Sequence, residues 1–303
     1  MADPASSAPR LPWAGLALAA LGAIGFSGKA IIVKLAYRYG VDAVTLLMWR
    51  MLLALPCFLA MAWWAGRGRP ALTRRDARDI AVLGFTGYYL ASYLDFAGLA
   101  HISASLERLI LYLNPTLVLL LSVVFFHHRL RARQAVALAI SYAGVAAVFA
   151  HELRFDGAGT ALGAALVFGS AVSYAVYLAL SGKVVQRLGA LRLTGLASSV
   201  ACVLCIAQFA LLRPLAAARV PEPVLWLSLL NATACTVAPV LMVMLAIARI
   251  GAPLSAQVGM VGPMSTLLMG AALLGEPMNG WILAGTALVL AGVFLVGRAP
   301  APR

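Results

Sequence analysis

Apolar residues run through this chain in long stretches, separated by short breaks that hold most of its charged residues. A helix needs about 20 consecutive apolar residues to cross a bilayer, and the stretches recur at that length from end to end. The pattern therefore predicts an all-α integral membrane protein with ten transmembrane helices. The predicted helices are residues 13–33, 42–64, 79–99, 102–126, 134–150, 159–181, 193–212, 223–246, 252–274 and 281–297.

One polar segment of the chain is repeated. Residues 100–115 have the sequence AHISASLERLILYLNP and residues 248–263 have ARIGAPLSAQVGMVGP, so that Ala, Ile, Ala, Leu and Pro recur at a spacing of 148. The agreement of the spacing in separated regions indicates a duplicated chain. Further matches pair Lys34, Arg38, Gly40 and Thr45 with Lys183, Arg187, Gly189 and Thr194 at a spacing of 149, and Ala143-Gly144-Val145 with Ala291-Gly292-Val293 at a spacing of 148.

The duplication predicts two repeats of five helices, residues 11–150 and 159–298, between cytoplasmic tails at residues 1–10 and 299–303. Five is an odd number, so the second repeat enters the membrane from the opposite face. Inverted repeats around a central cavity are typical of secondary transporters. Fifteen Lys and Arg residues lie on one side of the predicted helices and five on the other, which places both termini in the cytoplasm.

Composition and charge narrow the class of protein further. Of the 303 residues, 63% are hydrophobic and 11% are charged, whereas about 25% are charged in soluble proteins. The net charge of +13 lies in arginine clusters between helices, without interleaved aromatic residues, so we do not expect nucleic-acid binding. Cys202 and Cys205 have the spacing of a redox or metal motif, but they lie within an apolar run and lack a second pair. We interpret them as packing residues and expect neither a metal nor a cofactor.

Ionisable residues inside predicted membrane helices are candidates for function, because their transfer into hydrocarbon is costly. Lys29 either attracts a substrate carboxylate, pairs with an acid such as Asp95, or extends to the outer interface. Glu107 and Arg108 are adjacent, so their side chains lie about 100° apart around a helix. Asp95 and Glu107 are candidates for an ion pair or for proton coupling. We interpret Arg50 as part of a structural ion pair.

Polar and aromatic side chains share helical faces in both predicted repeats. Core packing with satisfied hydroxyl groups is one explanation for each of them. A cavity wall is the other, and it suits a substrate with an apolar or aromatic side chain. Besides Lys29 and Arg108, the candidate cavity residues are Tyr88, Tyr89, Ser92, Tyr93, Tyr112, Asn114, Ser170, Tyr174, Tyr177, Gln257 and Met260.

Prolines and tight connections predict where the helices break. Pro115, Pro239 and Pro263 each lack an amide hydrogen and free a carbonyl group inside a predicted helix. Such backbone is tolerated beside protein or a water-filled cavity, although a packing kink is the alternative. Ser103 and Gly251 lie in the short connections between predicted helices 3 and 4 and helices 8 and 9. We expect them to act as hinges for alternating access, with the substrate bound between helices 1, 3, 4, 6, 8 and 9.

Several motifs carry a family resemblance across nearly the whole chain. They are the two segments AxIxAxL…NP and AxIxAxL…GP, the Leu274–Pro277 sequence LGEP, and the ending Gly285…Ala291-Gly292-Val293. The chain resembles the ten-helix EamA type of the drug/metabolite transporter superfamily, and within it the YddG-type aromatic amino acid exporters. The resemblance implies an inner-membrane exporter of amino acids and related metabolites. One departure is His128, which occupies the position of Glu276 in the first repeat.

Other functions are weighed against transport of amino acids. Export of drugs, nucleobases or organic anions is the alternative within transport. Gly25-Phe26-Ser27-Gly28 matches the GxSG motif of intramembrane serine proteases, but every histidine falls in or beside a connection, and we expect no enzyme. The chain has no phosphate-binding loop, so ATP-driven transport would need another subunit. GxxxG-like spacings serve packing within or between chains, and a monomer is compatible with them.

Overall fold

The computed structural model describes residues 13–126 and 132–297, which form helices joined by short connections. The predicted tails at residues 1–10 and 299–303, and His128, lie outside this part of the chain. The α-helices are α1 (Trp13–Tyr37), α2 (Ala43–Gly66), α3 (Arg74–Leu83), α4 (Ala91–Leu99), α5 (Ala104–Leu111), α6 (Asn114–Phe126), α7 (Ala132–Asp156), α8 (Ala158–Leu188), α9 (Ala190–Leu212), α10 (Glu222–Ala232), α11 (Ala238–Gly259), α12 (Val261–Met269) and α13 (Gly280–Gly297).

Three π-helical segments and one 3-10 turn lie between consecutive α-helices. The π segment Gly84–Leu90 joins α3 to α4, and the π segment Thr233–Val237 joins α10 to α11. A third, Gly270–Leu274, follows α12, and the turn Leu215–Ala218 lies between α9 and α10. Such π-helical turns occur often at functional sites.

The described residues agree with the predicted fold class. Eight helical segments are long and apolar enough to cross a membrane, and Gly280–Leu295 is a shorter apolar helix. Helix also occupies each of the intervals that the apolar pattern predicts. The predictions of an all-α protein and of several membrane spans are therefore confirmed.

The helices break where the prolines and the hinges were predicted to act. Between α5 and α6 the break precedes Pro115, and between α11 and α12 it precedes Pro263. Pro239 follows the π segment Thr233–Val237 at the start of α11. Gly251 interrupts α11 with φ of 78° and ψ of 160°, a conformation that glycine adopts without the steric cost of a β-carbon. Ser103 is the N-cap of α5 and accepts a hydrogen bond from the amide of Leu106.

A polar contact fixes the start of α3 against the end of α8. Thr73 and Asp76 form a capping box, in which the amide of Thr73 donates to the Asp76 carboxylate at 2.9 Å. The Arg187 guanidinium contacts Asp76 at 2.7 Å and Asp79 at 2.8 Å. The hydrogen bonds from Thr73, together with the arginine, lower the pKa of Asp76 to about 2. Asp76 is therefore a stable anion at neutral pH.

The short helix α5 lies at the centre of the packing. It contacts α1, α4, α7, α8, α12 and α13. Its Leu106, Leu109 and Ile110 are buried in a cluster with Val148 and Leu267, among other residues. Because α5 is surrounded by helices, the charged side chains that it carries are held in the interior of the molecule.

Candidate functional site

Charged side chains from three helices meet beside α5. The Lys29 ammonium on α1 donates a hydrogen bond to the Asp95 carboxylate on α4. The same ammonium lies 3.2 Å from Oε1 of Glu107 on α5, without hydrogen-bond geometry. The side chain of Glu107 is fully buried, whereas that of Lys29 is 15% exposed. One cation thus faces two carboxylates in a region that excludes most water.

Arg108 completes this charged cluster, which we define as Lys29, Asp95, Glu107 and Arg108. Its Nε lies 4.0 Å from Oε2 of Glu107 and 3.0 Å from the hydroxyl of Thr266 on α12. Another guanidinium nitrogen donates to the carbonyl oxygen of Phe26 on α1, at 2.9 Å. The cluster has formal charges of two cations and two anions, and it links α1, α4, α5 and α12.

Backbone at the break between α11 and α12 forms one side of the site. The hydroxyl of Tyr112 donates to the carbonyl oxygen of Gly259 at 2.8 Å. The hydroxyl of Ser27 lies 2.8 Å from the carbonyl oxygen of Gly262 and 2.9 Å from that of Ala23. The carbonyl groups of Gly259 and Gly262 lie near Pro263, where the helix lacks an amide donor. Side-chain hydroxyl groups therefore satisfy backbone that the helix break exposes.

The surroundings of Ser27 bear on the protease alternative. Its side chain is fully buried, and its recorded hydrogen bonds are to backbone carbonyl oxygens. Among the described histidines, His151 lies instead beside Asn279, with 2.8 Å between the two nitrogens. A serine nucleophile needs a base within hydrogen-bond reach, and Ser27 has none in the described residues.

Two carboxylates cap the N-terminus of α5. Glu276 accepts hydrogen bonds from the amides of Ala104 at 2.7 Å and Ser105 at 3.2 Å, and from the Ser105 hydroxyl at 2.7 Å. Glu152 accepts from the hydroxyl of Ser103. Carboxylates at this position accept hydrogen bonds from amide groups that have no partner within the helix, and their negative charge interacts favourably with the positive end of the helix dipole. They line a cavity of about 930 Å³ together with Lys34, Arg38 and His151, among others.

The acids at α5 were only partly indicated by the sequence. In the sequence, Glu276 belongs to the LGEP motif and carries no sign of a helix cap, and Glu152 belongs to no motif. A charged residue near the end of a predicted membrane helix, as Glu152 is, was the available signal. Its partner Ser103 is 49 positions away in the chain, so the contact itself had no local pattern.

The predicted tyrosines separate into two groups. The hydroxyls of Tyr88 and Tyr177 lie 3.1 Å apart, and the rings of Tyr174 and Tyr177 stack with 5.4 Å between centroids. These three pack the π segment Gly84–Leu90 against α8. Tyr89 and Tyr93 are half-buried against the core between α1, α2, α4 and α9.

The remaining predicted cavity residues have mixed environments. The hydroxyl of Ser170 donates to the carbonyl oxygen of Ala91 at 2.7 Å, which joins α8 to α4. Ser92, Asn114 and Met260 are half-buried, and Gln257 is exposed. Within the described residues no hydrogen bond joins Gln257 to the charged cluster. The structure therefore brings Lys29, Asp95, Glu107, Arg108 and Tyr112 together, and not the whole predicted set.

Arg50 differs from its sequence-based interpretation. Its Nε donates to the hydroxyl of Thr236 at 3.0 Å, and its guanidinium lies 5.1 Å from the ring centroid of Phe96. No carboxylate of the described chain lies within ion-pair distance of it. The predicted ion pair is wrong, because a hydroxyl and an aromatic face from neighbouring helices occupy the positions around the guanidinium.

Comparisons with known proteins find matches along nearly the whole chain. The sequence model of the EamA-like transporter family matches residues 13–150 and again residues 161–298. The chain is 30% identical to Uncharacterized transporter YcbK of Bacillus subtilis (strain 168) over 278 residues, which cover 88% of this chain and 87% of that protein. A crystal structure of another protein is similar with a TM-score of 0.62, covering 93% of this chain and 95% of its own, and at 16% identity the likeness concerns the fold alone.

Proposed function

Because this chain belongs to the EamA-like transporter family, we propose that it is a secondary transporter that exports amino acids with aromatic or apolar side chains, and related metabolites. Membership of the family makes it a membrane transporter of a small molecule. The class of substrate, the direction of transport and the mechanism are our proposal. They rest on the chemistry of the charged cluster and on the arrangement of the helices.

The observation that carries the proposal is the presence of both charge signs in one buried cluster. An amino acid at neutral pH has a carboxylate and an ammonium group on the same carbon. Lys29 and Arg108 offer cations to the carboxylate, and Asp95 offers an anion to the ammonium group. A neutral nucleobase has no charged group for these residues, and an organic dianion brings two negative charges and no cation for the acids. The cluster therefore favours a zwitterion.

Aromatic side chains near Asp95 support an apolar or aromatic substrate. Tyr89 and Tyr93 precede Asp95 on the same helical segment and are half-buried. Their rings provide an apolar surface and leave a hydroxyl group for a polar neighbour. Phe96, directly after Asp95, is buried beneath Arg50. We propose that the substrate side chain lies along Tyr89 and Tyr93, while its charged end contacts the cluster.

Alternating access is supported by the duplication of the chain. We propose ten spans in two inverted repeats, residues 11–150 and 159–298, that move relative to each other at Ser103 and Gly251. The family model matches the chain twice, from residue 13 and from residue 161, and this spacing equals that of the repeated segments. Both hinge residues lie at helix breaks. Because no ATP site is predicted, we propose that the change between the inward-open and outward-open states is driven by the difference in substrate affinity between them.

The proposal includes a location and an orientation. The excess of Lys and Arg on one side of the helices supports a multi-pass protein of the bacterial inner membrane with both termini in the cytoplasm. The cavity beside Glu152 and Glu276 then opens toward the outer face. A monomer suffices, because the charged cluster is complete within one chain.

Transport by the purified protein tests the proposal. Proteoliposomes loaded with unlabelled phenylalanine should take up labelled phenylalanine faster than empty vesicles do. Arg108→Gln should lower this exchange about tenfold or more, because a hydrogen bond to a charged group contributes about 1.5–3 kcal/mol. Arg219→Gln, which removes an exposed arginine between α9 and α10, is the matched control and should leave the exchange unchanged.

The same vesicles distinguish the alternatives. Unlabelled leucine, tryptophan, uracil, a lipophilic cationic drug and the dianion succinate are each added in excess over labelled phenylalanine. Amino acids should compete and the others should not. If no amino acid of a broad panel gives flux above empty vesicles, the proposed substrate class is wrong, and flux with uracil, the drug or succinate identifies the alternative.

A further inference from the structure

Glu107 is the least satisfied member of the charged cluster. Its side chain is fully buried, and neither carboxylate oxygen accepts a hydrogen bond from the described residues. Asp95, by contrast, accepts a hydrogen bond from Lys29 on one of its oxygens. Because both carboxylates contact the same ammonium, they lie close to each other. A buried carboxylate without hydrogen bonds is stable as an anion only while neighbouring cations balance it.

The charge around Glu107 depends on few groups. Lys29 from α1, Asp95 from α4 and Arg108 from α5 itself are the charged residues that act on it. Helices α12 and α13 contain no ionisable residue. On α7, Glu152 and its neighbour His151 lie at the N-terminus of α5. On α8, Tyr174 and Tyr177 stack on each other, and the Tyr177 hydroxyl contacts that of Tyr88. The cations that act on Cys235 are Arg50, Lys29 and Arg108.

Two neighbouring features do not supply a further positive charge to Glu107. The N-terminus of α5 would favour an anion, but Glu276 and Glu152 already cap it. Arg50 stacks on Phe96 and donates to Thr236. The charge of Arg50 acts on Asp95 and not on Glu107. Around Glu107 the two anions and two cations of the cluster therefore balance each other, and a ligand that adds a net charge disturbs that balance.

The two cations are the more accessible members of the cluster. The side chains of Lys29 and Arg108 are 15% and 11% exposed, whereas those of Asp95 and Glu107 are 3% and 0% exposed. A ligand carboxylate therefore meets the cations first and competes with Glu107 for them. A zwitterion brings its own ammonium group to replace the lost cation beside the acids. A simple carboxylic acid brings none.

We propose that the transporter also binds apolar monocarboxylates, and that Glu107 takes up one proton when it does so. The buffer acid in the surrounding solution releases the proton and becomes its conjugate base, and the proton binds a carboxylate oxygen of Glu107; no other bond changes. A zwitterionic amino acid binds with Glu107 still ionised and takes up no proton. The inference rests on the proposed function, because it assumes that the charged cluster is the site of the substrate carboxylate. It implies electroneutral transport of amino acids that is not coupled to protons, and cotransport of monocarboxylates with a proton.

Titration calorimetry of the purified full-length protein in two buffers tests the inference. At pH 8, 3-phenylpropionate is titrated in phosphate and in Tris, which differ in heat of ionisation. The difference between the two binding heats should correspond to about one proton taken up per ligand. L-phenylalanine should give the same heat in both buffers after correction for dilution. The affinity for 3-phenylpropionate should also rise as the pH falls, since a bound state that holds a proton is favoured by acid.

A variant pair assigns the proton to its residue. Glu107→Gln should bind 3-phenylpropionate with no difference between the buffers, because the amide cannot take up a proton. Glu222→Gln makes the same change at an exposed site on α10 and should retain the wild-type difference. If Glu107→Gln does not fold, the comparison of the two ligands on the wild-type protein still shows whether binding of a monocarboxylate, and not of an amino acid, takes up a proton.

The outcomes separate this inference from the proposed function. Binding of 3-phenylpropionate with equal heats in both buffers overturns the inference and leaves the proposed function standing. Proton uptake that persists in Glu107→Gln also overturns it, because another group then holds the proton. If phenylalanine takes up as much proton as 3-phenylpropionate does, a zwitterion does not preserve the charge balance of the cluster, and the inference is wrong. Absence of binding by both ligands overturns the proposed substrate class as well.

Discussion

At the scale of single residues, the charged cluster is stable because each charge is compensated. Transfer of an ion into the interior costs several kcal/mol, and an oppositely charged neighbour offsets that cost only when the contact is close. Lys29 provides this contact to Asp95 and Glu107 together. The substitution with the largest effect is therefore the one that removes the shared cation.

Lys29→Met should lower the free energy of unfolding by about 3–5 kcal/mol, because it leaves two buried carboxylates without their common partner. Thermal unfolding in detergent measures the change. Lys183→Met, at an exposed position of α8, should have little effect. The triple variant Lys29→Met, Asp95→Asn, Glu107→Gln should regain part of the lost stability. Equal stability of the wild type and Lys29→Met would contradict the role of the ion pairs.

At the scale of helices, the carboxylate that caps α5 has no acidic counterpart in the sequence of the first repeat. Glu276 accepts hydrogen bonds from the amides of Ala104 and Ser105 at the start of α5. At a spacing of 148, Ser105 corresponds to Pro253, which has no amide hydrogen, and Glu276 corresponds to His128. A helix start with one donor fewer needs an anionic cap less. The loss of the acidic residue in the first repeat is thus accompanied by a proline at the site that it would cap.

Helices α7 and α13 depend on small residues for their contact. A β-carbon built on Gly144 would lie 2.7 Å from the carbonyl oxygen of Gly285, and one on Gly285 would lie 2.8 Å from that of Gly144. Backbones that approach so closely in a membrane protein tolerate only small residues. Gly144→Leu should therefore lower stability by about 1–3 kcal/mol through overpacking.

The control for this prediction is Gly182→Leu. A β-carbon at Gly182 would meet nothing within 4 Å, so this variant adds the same side chain on a helix without a clash. Melting temperatures of the two purified variants are compared with that of the wild type. A loss of the same size in both variants would show that the packing of α7 on α13 is not the cause.

At the scale of the whole molecule, the helix contacts follow the repeated sequence. Helices α2 and α9 pack on each other, as do α7 and α13, and each pair unites corresponding members of the two predicted repeats. Helix α1 packs on α11 while α4 packs on α8, and these two contacts are equivalent under the same correspondence. This pattern supports an approximate two-fold relation between the repeats, which an inverted topology requires.

Labelling of single cysteines tests the topology. In a variant without the native cysteines, Ala71→Cys lies between α2 and α3, and Ala216→Cys lies between α9 and α10; both positions are exposed. With the positively charged segments inside, a membrane-impermeant maleimide should label Ala216→Cys in intact cells. It should label Ala71→Cys only after the membrane is opened. The reverse result would contradict the proposed orientation.

The sequence by itself determined the helical intervals, the helix breaks and the family. Lipid offers the backbone no hydrogen bonds, so every apolar stretch of sufficient length must satisfy its own amide and carbonyl groups as helix. Prolines and glycines affect the backbone of the residues next to them, so the helix breaks beside Pro115, Gly251 and Pro263 could also be predicted from the local sequence. The repeated motifs that indicated the family are linear patterns and needed no contact to be recognised.

Only the tertiary structure decided which polar groups meet. Lys29 and Asp95 are 66 positions apart, and Ser27 and the carbonyl group of Gly262 are 235 apart. Whether such groups touch depends on how each helix is rotated and on how closely glycines let helices approach, and no local pattern contains that information. For the same reason Arg50 could not be placed on Phe96, nor Glu276 at the start of α5, before the helices were packed.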